Sequence, residues 1–339
     1  MISQKNTLVI YIISLLFLTC ISCNRQDTFV RTEGMIWNTV YHITYKGDKS
    51  LQDSLLPVFN EVNKSLSVFE KTSLVSQINE MDSLVVNEHF ITVYDASKRI
   101  NRLSKGMFDP TVSPLIEAWG FGQKHTASQD TAAIDSILMF VGIDKTRREG
   151  NQIIKEDKRI KFNFSAIAKG YGVEAVAEMF QRNGVTDYMV EIGGELSLSG
   201  NSPTGKTWNI AVDTPIDDGK PGENTAMILS LTGVGIATSG NYRNYRIEEG
   251  NKVVHTISPV TGHPVIGEIL SATIIAPTCM EADAIATACM ASTTTEAKQL
   301  LKECNVEGLF IFSDSIWMTP GFKKYIISEV SEPGRKDRN

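Results

Sequence analysis

The sequence is short of several things that would each announce a function. No dense block of lysine and arginine offsets a formal charge of −6, which excludes the basic face that nucleic-acid phosphates require. The short basic run Arg335, Lys336 and Arg338 is a solvated terminus. Cysteine is sparse, at five in 339 residues. Cys279, Cys289 and Cys304 leave an odd one, and their spacing is not that of metal ligands. Cys279 and Cys289 fall ten residues apart on one expected helix, about 15 Å, too far for a disulfide, so they read as buried free thiols. Internal repeats, low-complexity tracts and a convincing interdomain linker are also missing. The composition, 42% hydrophobic and 21% charged, is that of an ordinary globular chain long enough to bury a core without disulfides.

The one long apolar run, Leu8 to Leu18, is too short to span a bilayer comfortably, which takes roughly 20 residues. Lys5 precedes it and polar sequence resumes at Asn24, the pattern of an export signal. Cys23, with Ser22 before it and a polar stretch after it, resembles a lipoprotein cleavage cysteine; Cys20, behind the bulkier Thr19, is the weaker candidate. The plain alternative is a cleaved signal with two incidental thiols. The expected organisation is a signal over 1–22, a tether over 23–33, one domain over 34–330 and a tail over 331–339.

Periodicity predicts a strand over Val40–Tyr45, helices near Ser50–Leu66 and His89–Ser104, a short helix over Thr111–Trp119, another over Thr131–Phe140, and strand-like stretches within Ile153–Phe164. Ala166–Arg182 carries the strongest helical pattern of the middle of the chain. From Asp187 the period becomes two, with strands in Tyr188–Ser199, Trp208–Asp213, Ala226–Leu231, Gly235–Thr238 and Val253–Ile257. Ser271–Ala276 reads as a strand, Thr278–Ala291 and Thr295–Cys304 as helices, and Gly308–Met318 as a closing strand pair. Helices first, strands later, then more helices point to an α+β fold.

Five segments could carry chemistry. Asn163 to Gly172 runs a strand into a helix with Ser165 as expected N-cap and Lys169 one turn in, an arrangement that can hold a phosphate. Gly170 and Gly172 each cost a helix roughly 1 kcal/mol, to be offset by close approach of a ligand or by tight packing. Thr278 and Glu281 form a capping-box pattern, and Asp283 and Thr287 share the next face of that helix among alanines. A carboxylate there suits a hard cation such as Mg²⁺ or serves the helix dipole. His255 ends a strand before a Pro/Gly turn, where an imidazole can take a proton from a hydroxyl, although His263 competes and a lone histidine is often structural. Glu191-Ile192-Gly193-Gly194-Glu195 and Thr238-Ser239-Gly240-Asn241-Tyr242-Arg243 are glycine turns. In the second, Ser239 and Arg243 offer a hydroxyl and a guanidinium to phosphate or carboxylate, or form a plain hairpin with a surface arginine.

Taken in order, these segments resemble the FAD:protein FMN transferase family, the ApbE-like lipoproteins. Asn38-Thr39-Val40-Tyr41, Phe108-Asp109-Pro110-Thr111-Val112, Trp119-Gly120-Phe121-Gly122, Ile167-Ala168-Lys169-Gly170-Tyr171, Ile192-Gly193-Gly194-Glu195, the Thr238–Arg243 turn, His255 to Gly262 and Ala282-Asp283-Ala284 carry the likeness, which spans Gly34 to Met318. The resemblance implies an ApbE-like fold of mixed or antiparallel sheets with helices packed on them in two closely associated lobes. It implies Mg²⁺ held by the Ala166 carbonyl, Asp283 and Thr287, and FAD contacts at Trp37, Phe69, Met107, Phe108, Asp109, Asn163, Lys169 and Ile257. It makes His255 the general base for attack of a threonine hydroxyl on the FMN-side phosphorus, with AMP leaving. The acceptor would be an exported protein of respiratory redox complexes, and the enzyme would be lipid-anchored on the periplasmic side of the cell envelope. Asn163 stands where the family usually has Asp, Asn38 where it has Gly, and Trp37 where Met is frequent. A Mg²⁺-dependent FAD pyrophosphatase and a non-catalytic flavin-binding lipoprotein are the competing expectations.

Overall fold

The computed structural model describes residues 28–121, 131–215, 225–240, 245–248, 251–254, 256–265 and 267–329. The chain opens with a hairpin of β1 (Phe29–Ile36) and β2 (Thr39–Lys46), then helices α1 (Gln52–Leu66) and α2 (Leu74–Glu80), strand β3 (Ser83–Val85), and helices α3 (Glu88–Leu103), α4 (Ser113–Ala118) and α5 (Thr131–Leu138). Strands β4 (Thr146–Glu149) and β5 (Gln152–Lys155) precede α6 (Ala168–Arg182). A run of strands follows: β6 (Tyr188–Ile192), β7 (Glu195–Ser199), β8 (Trp208–Asp213), β9 (Thr225–Leu231), β10 (Val234–Gly240), β11 (Tyr245–Glu248), β12 (Asn251–Val254) and β13 (Ser271–Ala276). Helices α7 (Cys279–Met290) and α8 (Thr294–Cys304) and strands β14 (Glu307–Ile311), β15 (Ile316–Met318) and β16 (Ile326–Glu329) complete it.

Eight strands form the central sheet in the order β1-β2-β6-β7-β10-β13-β14-β15, every neighbouring pair antiparallel. Smaller sheets, β16-β9-β8 and β3-β5-β4, and the β11-β12 hairpin stand apart from it. The α+β class expected from the sequence is the one observed. All six residues of β13 are buried, because helices cover one face of the central sheet and the β16-β9-β8 sheet covers the other. On the helical face Ala237, Ala272, Ile274, Ala276 and Phe310 pack with residues of α3, α7 and α8; on the other, Ile236, Ile275 and Leu309 meet Trp208, Ile210, Leu229 and Leu231. The two lobes therefore share one sheet, and burial of this apolar area drives their association. At the β1 end, Tyr41, Ile43, Tyr45 and Val190 pack on Leu55, Phe59, Val173 and Phe180 of α1 and α6.

Four expectations need correction. The sheet begins at Phe29, inside the stretch assigned to the tether: β1 pairs with β2 over eight positions from Phe29↔Lys46 to Ile36↔Thr39. Ser165 does not cap α6, which starts at Ala168 behind Ile167 with no side-chain cap; the Ser165 amide instead donates to Asn163 Oδ1 at 2.9 Å. The Thr278–Glu281 box is half made. Thr278 Oγ1 accepts the Glu281 amide at 3.2 Å, but the Glu281 carboxylate pairs with Arg99 across the α3–α7 contact. Of the strand-like Ile153–Phe164 stretch only the part within β5 is strand, with a single parallel bridge from Lys161 to Val112 beyond it.

Candidate functional site

The two glycines of α6 are explained by packing. A Cβ on Gly170 would lie 2.5 Å from the Cys279 carbonyl oxygen and 2.7 Å from Asp283 Cβ, so α6 and α7 touch backbone to backbone there. A Cβ on Gly172 would lie 2.2 Å from the Trp37 ring. Gly235 makes the same concession for the start of α7 on β10, where a Cβ would meet the Cys279 amide nitrogen at 2.2 Å. These contacts fix the start of α6, the first half of α7 and the end of β10 around one cavity.

The cavity holds about 490 Å³, within the range of small-molecule sites. One part of its wall is polar, with Asn163, Lys169, Glu195, Thr238, Ser239, Asp283 and Thr287; another is apolar, with Phe108, Val112, Ile116 and Ile257. Met107, Asp109 and Ala166 also line it. Ten of the sequence-predicted site residues thus meet in one cleft although they come from segments far apart in the chain: Met107, Phe108, Asp109, Asn163, Ala166, Lys169, Ser239, Ile257, Asp283 and Thr287.

Two predicted contacts do not join them. Phe69 is 77% exposed in the loop after α1, and Trp37 is half-buried at the β1–β2 turn, edge-on to Phe59 at 5.6 Å. Trp37 and Asn38 both have positive φ, 49° and 61°, as a tight right-twisted hairpin demands, and there Asn is well suited where the family usually has glycine. Arg243, His255 and Cys23 lie outside the described residues. His263 packs edge-on to Trp119 at 5.6 Å and is not among the residues that line the cavity.

At the polar end three charged groups converge. Asp283, 4% exposed, accepts the Gly170 amide on Oδ2 at 3.0 Å. That bond supplies the first turn of α6 with the acceptor that no capping side chain provides. Lys169 Nζ donates to Glu195 Oε1 at 2.6 Å, and Glu195 Oε2 is buried without a hydrogen-bond partner among the described residues. Burial pushes the Glu195 carboxyl up to about 8 and raises Asp283 above the ordinary carboxylate range. For Lys169, burial pulls the ammonium down, but the Glu195 and Asp283 carboxylates outweigh it and hold it above the usual lysine value. Ser239 Oγ and Thr287 Oγ1 face each other at 3.4 Å.

Asp109, at the cavity wall, also organises its own loop. Its Oδ1 accepts the Thr111 amide at 2.8 Å and hydroxyl at 2.6 Å, and its Oδ2 accepts Asn101 Nδ2 at 3.0 Å and the Ile143 amide at 2.9 Å. With its acceptors engaged, it shapes the loop that carries Met107 and Phe108. Glu195 is the residue that sequence reasoning passed over; its signal was the Gly193-Gly194 turn that aims it, with φ of 65° and 102°.

Among known proteins, the sequence profile described as the ApbE family matches residues 37–310. A protein of Vibrio cholerae named FAD:protein FMN transferase is 33% identical over 319 residues, covering 90% of this chain and 93% of its own length. One of the same name from Haemophilus influenzae is 30% identical, covering 93% and 96%. In structure, the flavin transferase ApbE of Vibrio cholerae superposes with a TM-score of 0.78 at 30% identity over 88% of this chain and 99% of that one. The apo flavinyl transferase ApbE of Pseudomonas stutzeri gives a TM-score of 0.80 at 26% identity over 90% and 99%.

Proposed function

Because the chain belongs to the ApbE family, we propose that it transfers the FMN half of FAD to a hydroxyl of an acceptor protein. It is a transferase, and its curated relatives carry the name FAD:protein FMN transferase. The observation that carries the reading is the two-ended cavity, in which the half-exposed Lys169 and the buried Glu195 and Asp283 adjoin an apolar wall of Phe108, Ile116 and Ile257. A flavin dinucleotide has the matching parts, a charged diphosphate between flat, largely apolar rings.

The donor set fits a magnesium ion. Asp283 supplies a buried carboxylate, Thr287 a hydroxyl one helical turn on, and Ala166 a carbonyl on the same wall, all hard oxygen donors. A diphosphate would bring negative charge to a wall whose lining offers one ammonium among the described residues, Lys169, and a cation beside it would offset the remainder. When bound, the ion supplies neutralisation of the charge that builds on the diphosphate.

This chain's residues do the rest. Lys169 holds a phosphate oxygen, and the apolar wall excludes water from the flavin side. His255 takes the proton of the acceptor threonine as its oxygen bonds to the FMN-side phosphorus. The bond from that phosphorus to the bridging oxygen breaks, and AMP carries the bridging oxygen away. Lipidation at Cys23 anchors the enzyme on the periplasmic side of the cell envelope, where exported acceptors of respiratory redox complexes are found. The export signal and polar stretch read from the sequence support that placement.

The test is incubation with FAD, Mg²⁺ and an exported acceptor domain containing the target threonine, followed by mass spectrometry. The acceptor should gain one FMN phosphoryl group and AMP should accumulate equally. Free FMN beside an acceptor of unchanged mass would favour hydrolysis and overturn the transfer reading.

A further inference from the structure

Resting on the reading of the cavity as a flavin dinucleotide site, we infer that Glu195 is a positioning residue that fixes the Lys169 ammonium toward the ligand's diphosphate. The pair is built with the carboxylate behind and the ammonium in front. The Glu195 side chain is 5% exposed and that of Lys169 39%, and their charged atoms meet at 2.6 Å. Glu195 Oε2 is buried and has no hydrogen-bond partner, so no other side chain shares this carboxylate among the described residues. A buried carboxylate left without its counter-charge is costly, so the fold holds the lysine to it.

Lysine is a poor clamp by itself. Its four-carbon stem has many rotamers, and ordering it at the moment of ligand binding opposes affinity. Glu195 orders it beforehand. An ammonium carries three N–H donors; one serves Glu195, and the others remain for phosphate oxygens. Among the described residues, the titratable groups facing Lys169 come from two elements, Glu195 on β7 and Asp283 and Cys279 on α7, and the two carboxyl groups favour its protonated form.

The hairpin that presents Glu195 is braced for the task. Gly193 and Gly194 adopt conformations closed to most residues, and Glu191 Oε1 accepts the Gly194 amide at 2.7 Å. Glu191 is held in turn by His42 Nδ1 at 2.5 Å across the β2–β6 register. A direct ligand role for Glu195 is disfavoured by the same geometry, since its second carboxyl oxygen is buried and the Lys169 ammonium is the more exposed member of the pair.

The experiment measures equilibrium FAD binding, in the presence of Mg²⁺, to the wild type, Glu195→Gln, Glu195→Asp, Lys169→Met and the Glu195→Gln/Lys169→Met double variant. Loss of a charge-assisted contact predicts Glu195→Gln roughly 10-fold weaker than wild type. Glu195→Asp, which keeps the charge, should recover most of that loss. The double variant should bind no worse than Lys169→Met alone, because Glu195 acts only through the lysine. Wild-type affinity in Glu195→Gln, or a double variant whose losses add, would overturn the inference while the flavin reading stands. A wild type that binds no FAD would sink both. Should Glu195→Gln melt far below wild type, the Glu195→Asp and Lys169→Met affinities decide: Glu195→Asp as weak as Lys169→Met overturns the inference.

Discussion

The Gly170 amide donates to Asp283 Oδ2 at 3.0 Å, across 113 positions of sequence. One carboxylate thus ends the first turn of α6 and stands at the wall of the cavity, so the packing of two helices and the chemistry of the site depend on the same group. The contact exists only because residue 170 has no side chain.

Gly170→Ala should therefore destabilise the protein, although alanine is the better helix former by about 1 kcal/mol. Its Cβ would sit 2.5 Å from the Cys279 carbonyl oxygen, which is backbone and cannot swing away. Overpacking of this kind costs roughly 1–3 kcal/mol, enough to outweigh the propensity gain. Urea denaturation should show a lower unfolding free energy; an increase would mean the two helices separate without cost.

Asp283→Asn separates the two roles of the carboxylate. Asparagine can still accept the Gly170 amide but brings no charge. Burial raises the folded-state pKa of Asp283, so its protonated form is favoured in the fold and its contribution to stability declines as pH rises through that value. At pH 7, without metal, the variant should melt no lower than wild type. Turnover with Mg²⁺ should vanish, together with any rise in Tm that Mg²⁺ gives the wild type. Full activity in the variant would remove Asp283 from the cation site.

Lys155 is a buried cation with no role in the cavity. Its ammonium donates to the Ile78, Ile160 and Lys158 carbonyls at 2.8, 3.0 and 3.2 Å. Burial first, then the neighbouring Lys161, lowers its pKa from 10.5 to about 8. Between those values the unfolded chain binds more protons than the folded one, so this group makes the protein more stable as pH rises from about 8 towards 10.5. Lys155→Met should be less stable throughout, because three carbonyls lose a donor. Its deficit against wild type should widen from pH 7.5 to pH 10 in urea titrations; a gap independent of pH would contradict the shifted lysine.

Lipidation is tested at Cys23. Cys23→Ser should abolish incorporation of labelled palmitate and move the protein from the membrane to the soluble fraction, with Cys20→Ser unchanged. The reverse pattern would make Cys20 the anchor.

Much of the fold could be read from the sequence because its signals are local. Alternation over Trp208–Asp213 places β8 at those residues, and the Thr278 hydroxyl caps α7 as its spacing suggests. Strand β1 escaped because Phe29–Ile36 mixes Arg31, Glu33 and Gly34 beside the polar stretch after the leader; only its eight-position pairing with β2 makes it a strand. Trp37 and Phe69 were expected at the flavin from the family resemblance, which carries no information on distance, and neither is among the residues that line the cavity.

The sequence alone determined which chemistry was available: a lysine near the start of a helix, a carboxylate and a hydroxyl four residues apart on another, and turns that favour glycine. These follow from periodicity and backbone sterics within a few residues. The tertiary structure decided which of those groups share a cavity, that Gly170 and Gly172 serve close packing, and that Glu195 stands behind Lys169. Such pairings are set by how a twisted eight-stranded sheet and its helices bury apolar surface together, a property of the whole chain that no local window contains.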